Sequence, residues 1–171
     1  PTPRLMTLAA MVKGVQVRPS GVGAGVAKFA VTFFASDGSR IGSSKTLATW
    51  SGTFDWKPWA SVIRPPANAA TLEVALLLDG ALGQALFDGA ELLWNLPDDY
   101  ERENLLVDGG FDYVNPLGEW TTQLNPAVSA PGFKSRAALT VSREQPGWSG
   151  ASQRVLLGEA ASAGTLALSF R

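Results

Sequence analysis

The chain has 171 residues, 46% hydrophobic and 17% charged, and its 14 basic and 15 acidic residues leave a formal net charge of -1. This composition supplies a core for one domain and offers no basic face, so neither nucleic acid nor anionic lipid is an expected partner. The chain contains no Cys and no His. It therefore lacks the residues for disulfides, thiol catalysis, the usual zinc sites and the commonest general base.

Short apolar segments, separated by Gly and Pro, follow one another along the chain. Their apolar residues alternate or form short runs, which is typical of strands and too short for direct membrane insertion by this segment. The predicted strands are 5–17, 26–34, 71–78, 84–93, 137–141, 152–157 and 165–170. The Ser-Asp-Gly-Ser sequence at 36–39 predicts a hairpin turn, and the Ala-rich stretch 5–11 also permits a helix. Regularly spaced strands with turn signals predict an all-β sandwich or jelly roll.

The most polar segment is 95–103, which is rich in Asp and Glu. Its acidic residues do not have the spacing of a calcium-binding loop. We interpret this segment as an acidic linker between the two halves of the chain.

Two groups of sequence motifs, one in each half of the chain, resemble those of one known family. From residue 104 the chain reads NLLVDGGFDYVNPLGEW, and GWSGASQRVLL follows at 147–157; residues 1–94 contain SGTFDW and end in GQALFDGAELLW. These phrases resemble the jelly-roll carbohydrate-binding modules that accompany polysaccharide-degrading enzymes, of the kind placed in families four, nine and twenty-two. Residues 104–171 are similar to the opening half of that pattern, and residues 1–94 to the closing half.

The two halves stand in reversed order, and two explanations remain open. The chain is either a single circularly permuted module over 1–171, or an excerpt that holds the end of one module and the start of the next. Half a sandwich would leave unpaired edges and a bare apolar face, which favours the permuted jelly-roll β-sandwich. Its first and last residues suggest that the chain is part of a larger polypeptide.

The resemblance also implies a structural calcium ion. In such modules an acidic residue near the start and the Asp of an F-D phrase near the end meet at a calcium site, and Asp112 and Asp88 occupy the matching positions. A departure from the pattern is Gly89, which stands where the family often has a second Asp. In the alternative, Asp88 binds no metal and caps a turn by accepting backbone N–H bonds.

Six Trp residues provide the candidates for sugar stacking. Trp56, Trp94 and Trp120 match structural positions of the family. Trp50, Trp59 and Trp148 lie in stretches rich in Ser, Thr, Gly and Pro that we expect to be loops, so they are the predicted ligand-binding aromatics. The predicted polar partners are Arg143, Gln145, Gln153 and Asp55.

These observations predict a non-catalytic carbohydrate-binding module that recognises a neutral polysaccharide or glycan and works outside the cytoplasm, in an extracellular or periplasmic location. A glycosidase would need a pair of acids in an apolar cleft, and the sequence shows no such pair. The alternative is a structural or protein-interaction sandwich of a cell-envelope assembly that has lost sugar binding.

Overall fold

Ten β-strands make up the regular structure of the described residues. The computed structural model describes residues 5–21, 25–95, 103–113, 115, 117–124, 126–129, 131–145 and 147–157. The strands are β1 (Met6–Pro19), β2 (Val26–Phe34), β3 (Arg40–Trp50), β4 (Gly52–Ile63), β5 (Thr71–Asp79), β6 (Ala81–Trp94), β7 (Thr121–Gln123), β8 (Ala127–Ser129), β9 (Ala138–Arg143) and β10 (Trp148–Leu156).

The strands form two five-stranded sheets in which every neighbouring pair is antiparallel. The front sheet has the order β3-β2-β5-β10-β7, and the back sheet has the order β4-β1-β6-β9-β8. The long strands β3 and β4 are the edges on one side of the sandwich, and the three-residue strands β7 and β8 are the edges on the other. The all-β prediction is confirmed.

The core lies between the sheets because side chains alternate along each strand. In β1 and β5 every second residue is buried, which is the period-2 pattern of a strand with one face on the core. Phe29 of the front sheet and Phe87 of the back sheet meet at the centre, with ring centroids 5.3 Å apart. Each buried side chain of this size contributes about 1.5–3 kcal/mol of hydrophobic free energy.

Strands from both halves of the chain complete both sheets. β9 pairs with β6 in the back sheet, and β10 pairs with β5 in the front sheet over nine residue pairs. Residues 1–94 and 104–157 therefore share one core, as a permuted module requires. The jelly-roll connectivity and the permutation itself stay predictions, and the predicted strand 165–170 and most of the linker lie outside the described residues.

The hairpin turn was predicted correctly from the sequence, whereas the edge strands of the two sheets were not. The turn at 36–39 is confirmed: Gly38 has a φ of 81°, and the Ala35 N–H donates to the Ser39 carbonyl oxygen at 2.8 Å. The stretch 5–11 is not helical, and its residues from Met6 onward belong to β1. The strands β3 and β4 were not among the predicted ones, because an edge strand pairs on one side only and tolerates polar residues and Pro58.

Candidate binding groove

A groove of about 350 Å³ crosses the outer face of the front sheet. All five strands of that sheet contribute to it. Its lining consists of Lys28, Ala30, Thr32, Phe34, Arg40, Ser44, Glu73, Ala75, Leu77, Thr121, Thr122, Gln123, Trp148, Gly150, Ala151 and Ser152. It is a long, open depression on a sheet face, a shape suited to an extended ligand.

Small side chains form the floor of the groove. Ala75 of β5 lies between Ala30 of β2 and Ser152 of β10 in register, so three short side chains stand side by side across the sheet. In the next row, Gly150 faces Leu77, and a Cβ at Gly150 would lie 2.6 Å from a methyl group of Leu77. Glycine at this position keeps the floor low. The depression therefore follows from the outward-facing positions of three neighbouring strands.

Trp148 stands at one end of the groove. It is the first residue of β10, and 45% of it is exposed. Arg143 fixes the backbone beside it, since its Nη1 donates to the Trp148 carbonyl oxygen at 2.8 Å and its Nε donates to the Gln145 carbonyl oxygen at 2.8 Å. Arg143 and Gln145 were predicted to contact a ligand. Arg143 ends β9 and Gln145 lies in the turn before β10, where the Arg143 side chain positions the start of the strand that carries Trp148.

Two ion pairs lie in or beside the groove. Lys28 Nζ lies 2.5 Å from Asp79 Oδ2 near the Trp148 end, and Arg154 Nε lies 3.1 Å from Glu73 Oε2 near the other end. The Arg154 guanidinium also lies over the Phe34 ring, 4.2 Å from its centroid. These contacts fix the positions of the charged side chains of Lys28, Glu73 and Arg154 beside the floor of the groove.

Trp50 and Trp59 are not in loops, and that part of the sequence prediction is wrong. Trp50 ends β3 and Trp59 lies within β4, and both are half-buried against the core. The Phe29 ring stacks on Trp59 at 4.7 Å and meets Trp50 edge to face at 5.2 Å. Their contacts in the structure are packing contacts between the two sheets, and neither residue lines the groove.

The remaining predicted polar partners also lie outside the groove. Gln153 is buried, and its Oε1 accepts a bond from the Val107 N–H at 2.8 Å while its Nε2 donates to the carbonyl oxygens of Val107 and Glu119. Gln153 thus fastens the segment before β7 to β10. Asp55 is exposed on β4 and pairs with Lys13 at 3.0 Å, which lowers its pKa. Of the residues predicted to bind a ligand, Trp148 alone lines the groove.

The three Trp residues assigned to structure occupy different surroundings. Trp120 is buried, with its ring 5.3 Å from that of Phe111. Trp94 is half-buried against the core, whereas Trp56 is half-buried beside Phe133 at 6.1 Å.

Asp88 makes the contacts of the turn-capping alternative. It is buried, and its Oδ2 accepts bonds from the Phe133 N–H at 2.6 Å and the Ser135 hydroxyl at 2.5 Å. Its Oδ1 accepts a bond from the N–H of Gly89 at 2.7 Å. A Cβ at Gly132 would lie 2.6 Å from Asp88 Oδ2, so this turn closes directly over the carboxylate.

Asp112 holds the other end of the same turn. It is exposed, and its Oδ1 accepts a bond from the Arg136 N–H at 3.1 Å. Asp88 and Asp112 therefore both accept hydrogen bonds from the segment 133–136. Among the described residues, however, no three acidic side chains form a group that could hold a metal ion. The donor set around Asp88 fits a cap, and the calcium site stays a prediction.

Asp108 was not predicted to have a special role. It is buried, its Oδ1 accepts a bond from the Asp112 N–H at 2.9 Å, and its Oδ2 has no hydrogen-bond partner. Burial raises the pKa of the Asp108 carboxyl above its usual value of 3.8, and the nearby Asp112 charge acts in the same direction. The carboxylate is therefore an unfavourable charge at neutral pH.

The sequence prediction missed most residues of the groove. Alternation in 26–34 and 71–78 marks Lys28, Ala30, Glu73 and Ala75 as outward-facing, which is the signal that was available. Comparison with protein-family models, curated proteins and solved structures found no match. No helix in the described part of the chain has the length and apolar character needed to span a membrane.

Proposed function

We propose that this chain is a non-catalytic carbohydrate-binding domain that holds a polysaccharide chain in the groove of the front sheet. One observation carries the proposal: an exposed indole, Trp148, stands at the end of a long groove floored by Ala30, Ala75 and Ser152. Flat aromatic faces bind the C–H face of a pyranose, and a low floor lets a ring lie close to the sheet.

The polar side chains around the floor suit the hydroxyl groups of a sugar. They offer donors and acceptors within the groove: Thr32, Ser44, Thr121, Thr122, Gln123 and Ser152. The charged side chains Lys28 and Glu73 are each already paired with an opposite charge. A largely neutral polysaccharide therefore matches the groove better than a polyanion.

The charges of the groove argue for binding rather than hydrolysis. Its flanking carboxylates, Glu73 and Asp79, lie six residues apart on β5, or about 20 Å at roughly 3.4 Å per residue. Glycosidases place their two acids about 5–10 Å apart and keep one protonated. Both of these carboxylates are engaged in ion pairs instead.

The proposed setting follows the resemblance of the two halves to carbohydrate-binding modules. Such a domain would be one part of a larger polypeptide that acts outside the cytoplasm, at the cell envelope or in the extracellular space, and would bring that polypeptide to its glycan.

Affinity electrophoresis and calorimetry against β-glucans, xylan and bacterial exopolysaccharides test the proposal. Trp148→Ala is expected to weaken binding about tenfold, which corresponds to about 1.4 kcal/mol. Ala75→Phe fills the groove and should abolish binding, while Ala60→Phe, at an exposed position on the back sheet, serves as the matched control. Retention of wild-type affinity by Ala75→Phe would place any binding elsewhere.

A structural or protein-interaction role is the second candidate. The observation that favours it is the middle of the groove, where Ala30, Ala75 and Leu77 present aliphatic side chains and the aromatic lining residues, Phe34 and Trp148, stand at the two ends. If no glycan is retarded but Ala75→Phe prevents association with another domain of the same polypeptide or with another protein of the assembly, this second role is the correct one.

A further inference from the structure

Arg40 is a groove residue whose charge is not balanced. It is exposed at the start of β3, lies opposite Phe34 in the β2–β3 pairing and lines the groove. In the described part of the chain Arg40 makes no ion pair or side-chain hydrogen bond, and Glu73, the acidic residue of the groove lining, is paired with Arg154. Its guanidinium donors are therefore free for a ligand.

The charges along the groove are unevenly distributed. At the Trp148 end Lys28 and Asp79 cancel, and at the Phe34 end Glu73 and Arg154 cancel. Among the lining residues and their ion-pair partners, Arg40 then leaves one positive charge at the Phe34 end; the exposed Asp37, in the turn before Arg40, lies outside the lining. The near-neutral charge of the whole chain thus conceals a groove with one neutral end and one cationic end.

The two ends are far enough apart to contact different sugar units. Trp148 pairs with Asp79, which pairs with Val26, whereas Arg40 pairs with Phe34. Val26 and Phe34 are eight residues apart on β2, or about 27 Å at roughly 3.4 Å per residue. A chain that spans this distance presents several units, so a substituent at one end does not disturb stacking at the other.

We propose that the groove selects a glycan that is neutral beside Trp148 and carries a uronic-acid carboxylate beside Arg40. This inference rests on the proposed function and specifies its ligand. A guanidinium presents parallel N–H donors that match a carboxylate in a bidentate pair. Oxidation of a hexose at C6 replaces a hydroxymethyl group with a carboxylate of similar size, so a uronate fits the same floor as the neutral sugar.

Calorimetry with paired oligosaccharides that differ only in one uronate tests this specificity. One pair is a xylo-oligosaccharide with and without a glucuronic acid substituent, and the other is a gluco-oligosaccharide with and without one glucuronate. The wild-type protein is expected to bind the uronate member about fivefold more tightly, the upper end for an exposed ion pair, and to lose that preference at high salt. Arg40→Gln should bind both members with equal affinity. Arg64→Gln, at an exposed position outside the groove, is the control and should keep the preference.

The outcomes separate this inference from the proposed function. If the neutral member binds and the uronate member binds no better, or if the preference survives Arg40→Gln, the role of Arg40 is refuted and glycan binding stands. If an oligosaccharide of the same series that carries a sulfate in place of the uronate binds more tightly than the uronate member, the carboxylate assignment is also refuted. Failure of every glycan to bind would overturn the proposed function as well.

Discussion

Replacing Asp88 with Ala removes the acceptor for three donors at once: the N–H groups of Gly89 and Phe133 and the Ser135 hydroxyl. Each buried donor left without a partner costs about 1–3 kcal/mol, and because the three share one carboxylate the losses overlap to about 3–5 kcal/mol in total. For a chain of this size each kcal/mol corresponds to about 2–4 °C in Tm, so Asp88→Ala should lower the Tm by about 10 °C.

Thermal unfolding followed by circular dichroism measures this effect. Asp88→Asn keeps one acceptor oxygen and should lose about half as much stability. Asp55→Ala is the matched control, because Asp55 is an exposed carboxylate whose ion pair with Lys13 is screened by solvent, so its loss should change the Tm little. A Tm for Asp88→Ala within the range of this control would refute the capping role.

The same measurement decides between the cap and the calcium site. A cap predicts that the wild-type Tm is the same in EDTA and in millimolar Ca²⁺. If Asp88 were a calcium ligand, Ca²⁺ at a hundred times its Kd would stabilise the fold by about 2.7 kcal/mol and raise the Tm by several degrees. Such a rise, abolished in Asp88→Ala, would establish the metal site and refute the reasoning above.

Three further predictions concern single side chains. Asp108→Asn should stabilise the fold by about 1 kcal/mol at pH 7, because it removes a buried charge. The folded-state pKa of Asp108 lies above the unfolded value of 3.8, so the raised pKa contributes stability to the wild-type protein below that pH, and this stability is lost as the pH rises through the folded-state pKa. The stabilisation of Asp108→Asn relative to the wild type, measured by urea unfolding, should therefore shrink towards pH 4. Gln153→Leu leaves the Val107 N–H and two carbonyl oxygens unpaired, so the urea midpoint should fall by an amount worth about 2–4 kcal/mol, and an unchanged midpoint would contradict the fastening role. Arg143→Met should weaken glycan binding about threefold by freeing the backbone at Trp148, with the enthalpy of unfolding nearly unchanged; an unaltered Kd would show that this positioning is not needed.

The sequence predicts the front sheet well where alternation is strong. The strands 26–34 and 71–78 occur almost as predicted, since a half-buried strand exposes every second residue. The edge strands could not be predicted in this way, because β3 and β4 each pair on one side only and their Ser, Thr and Gly content is typical of a loop. Trp50 and Trp59 were assigned to loops for this reason.

The groove could not be assembled from local patterns. Ala75 and Ser152 are adjacent through the register of β5 and β10, and Arg40 reaches the same surface through the β2–β3 hairpin. The strand order in the sheet decides which outward-facing residues become neighbours. The alternation of apolar and polar residues in the sequence does not encode that order. Trp148 was selected because it lies in a stretch rich in Ser, Gly and Pro, where an indole is hard to bury, whereas the short floor residues carry no such signal.

Ser51 alone joins β3 of the front sheet to β4 of the back sheet. Because successive side chains on a strand point to opposite faces, an insertion at this corner that shifts the register of either strand by one residue would turn Trp50 or Trp59 away from the other, although their ring centroids now lie 5.9 Å apart. The turn at 36–39 has no such constraint. Variation in length among natural or engineered relatives should therefore collect at that turn and avoid Ser51, which makes the turn the place to insert a peptide tag and the corner the place to leave alone.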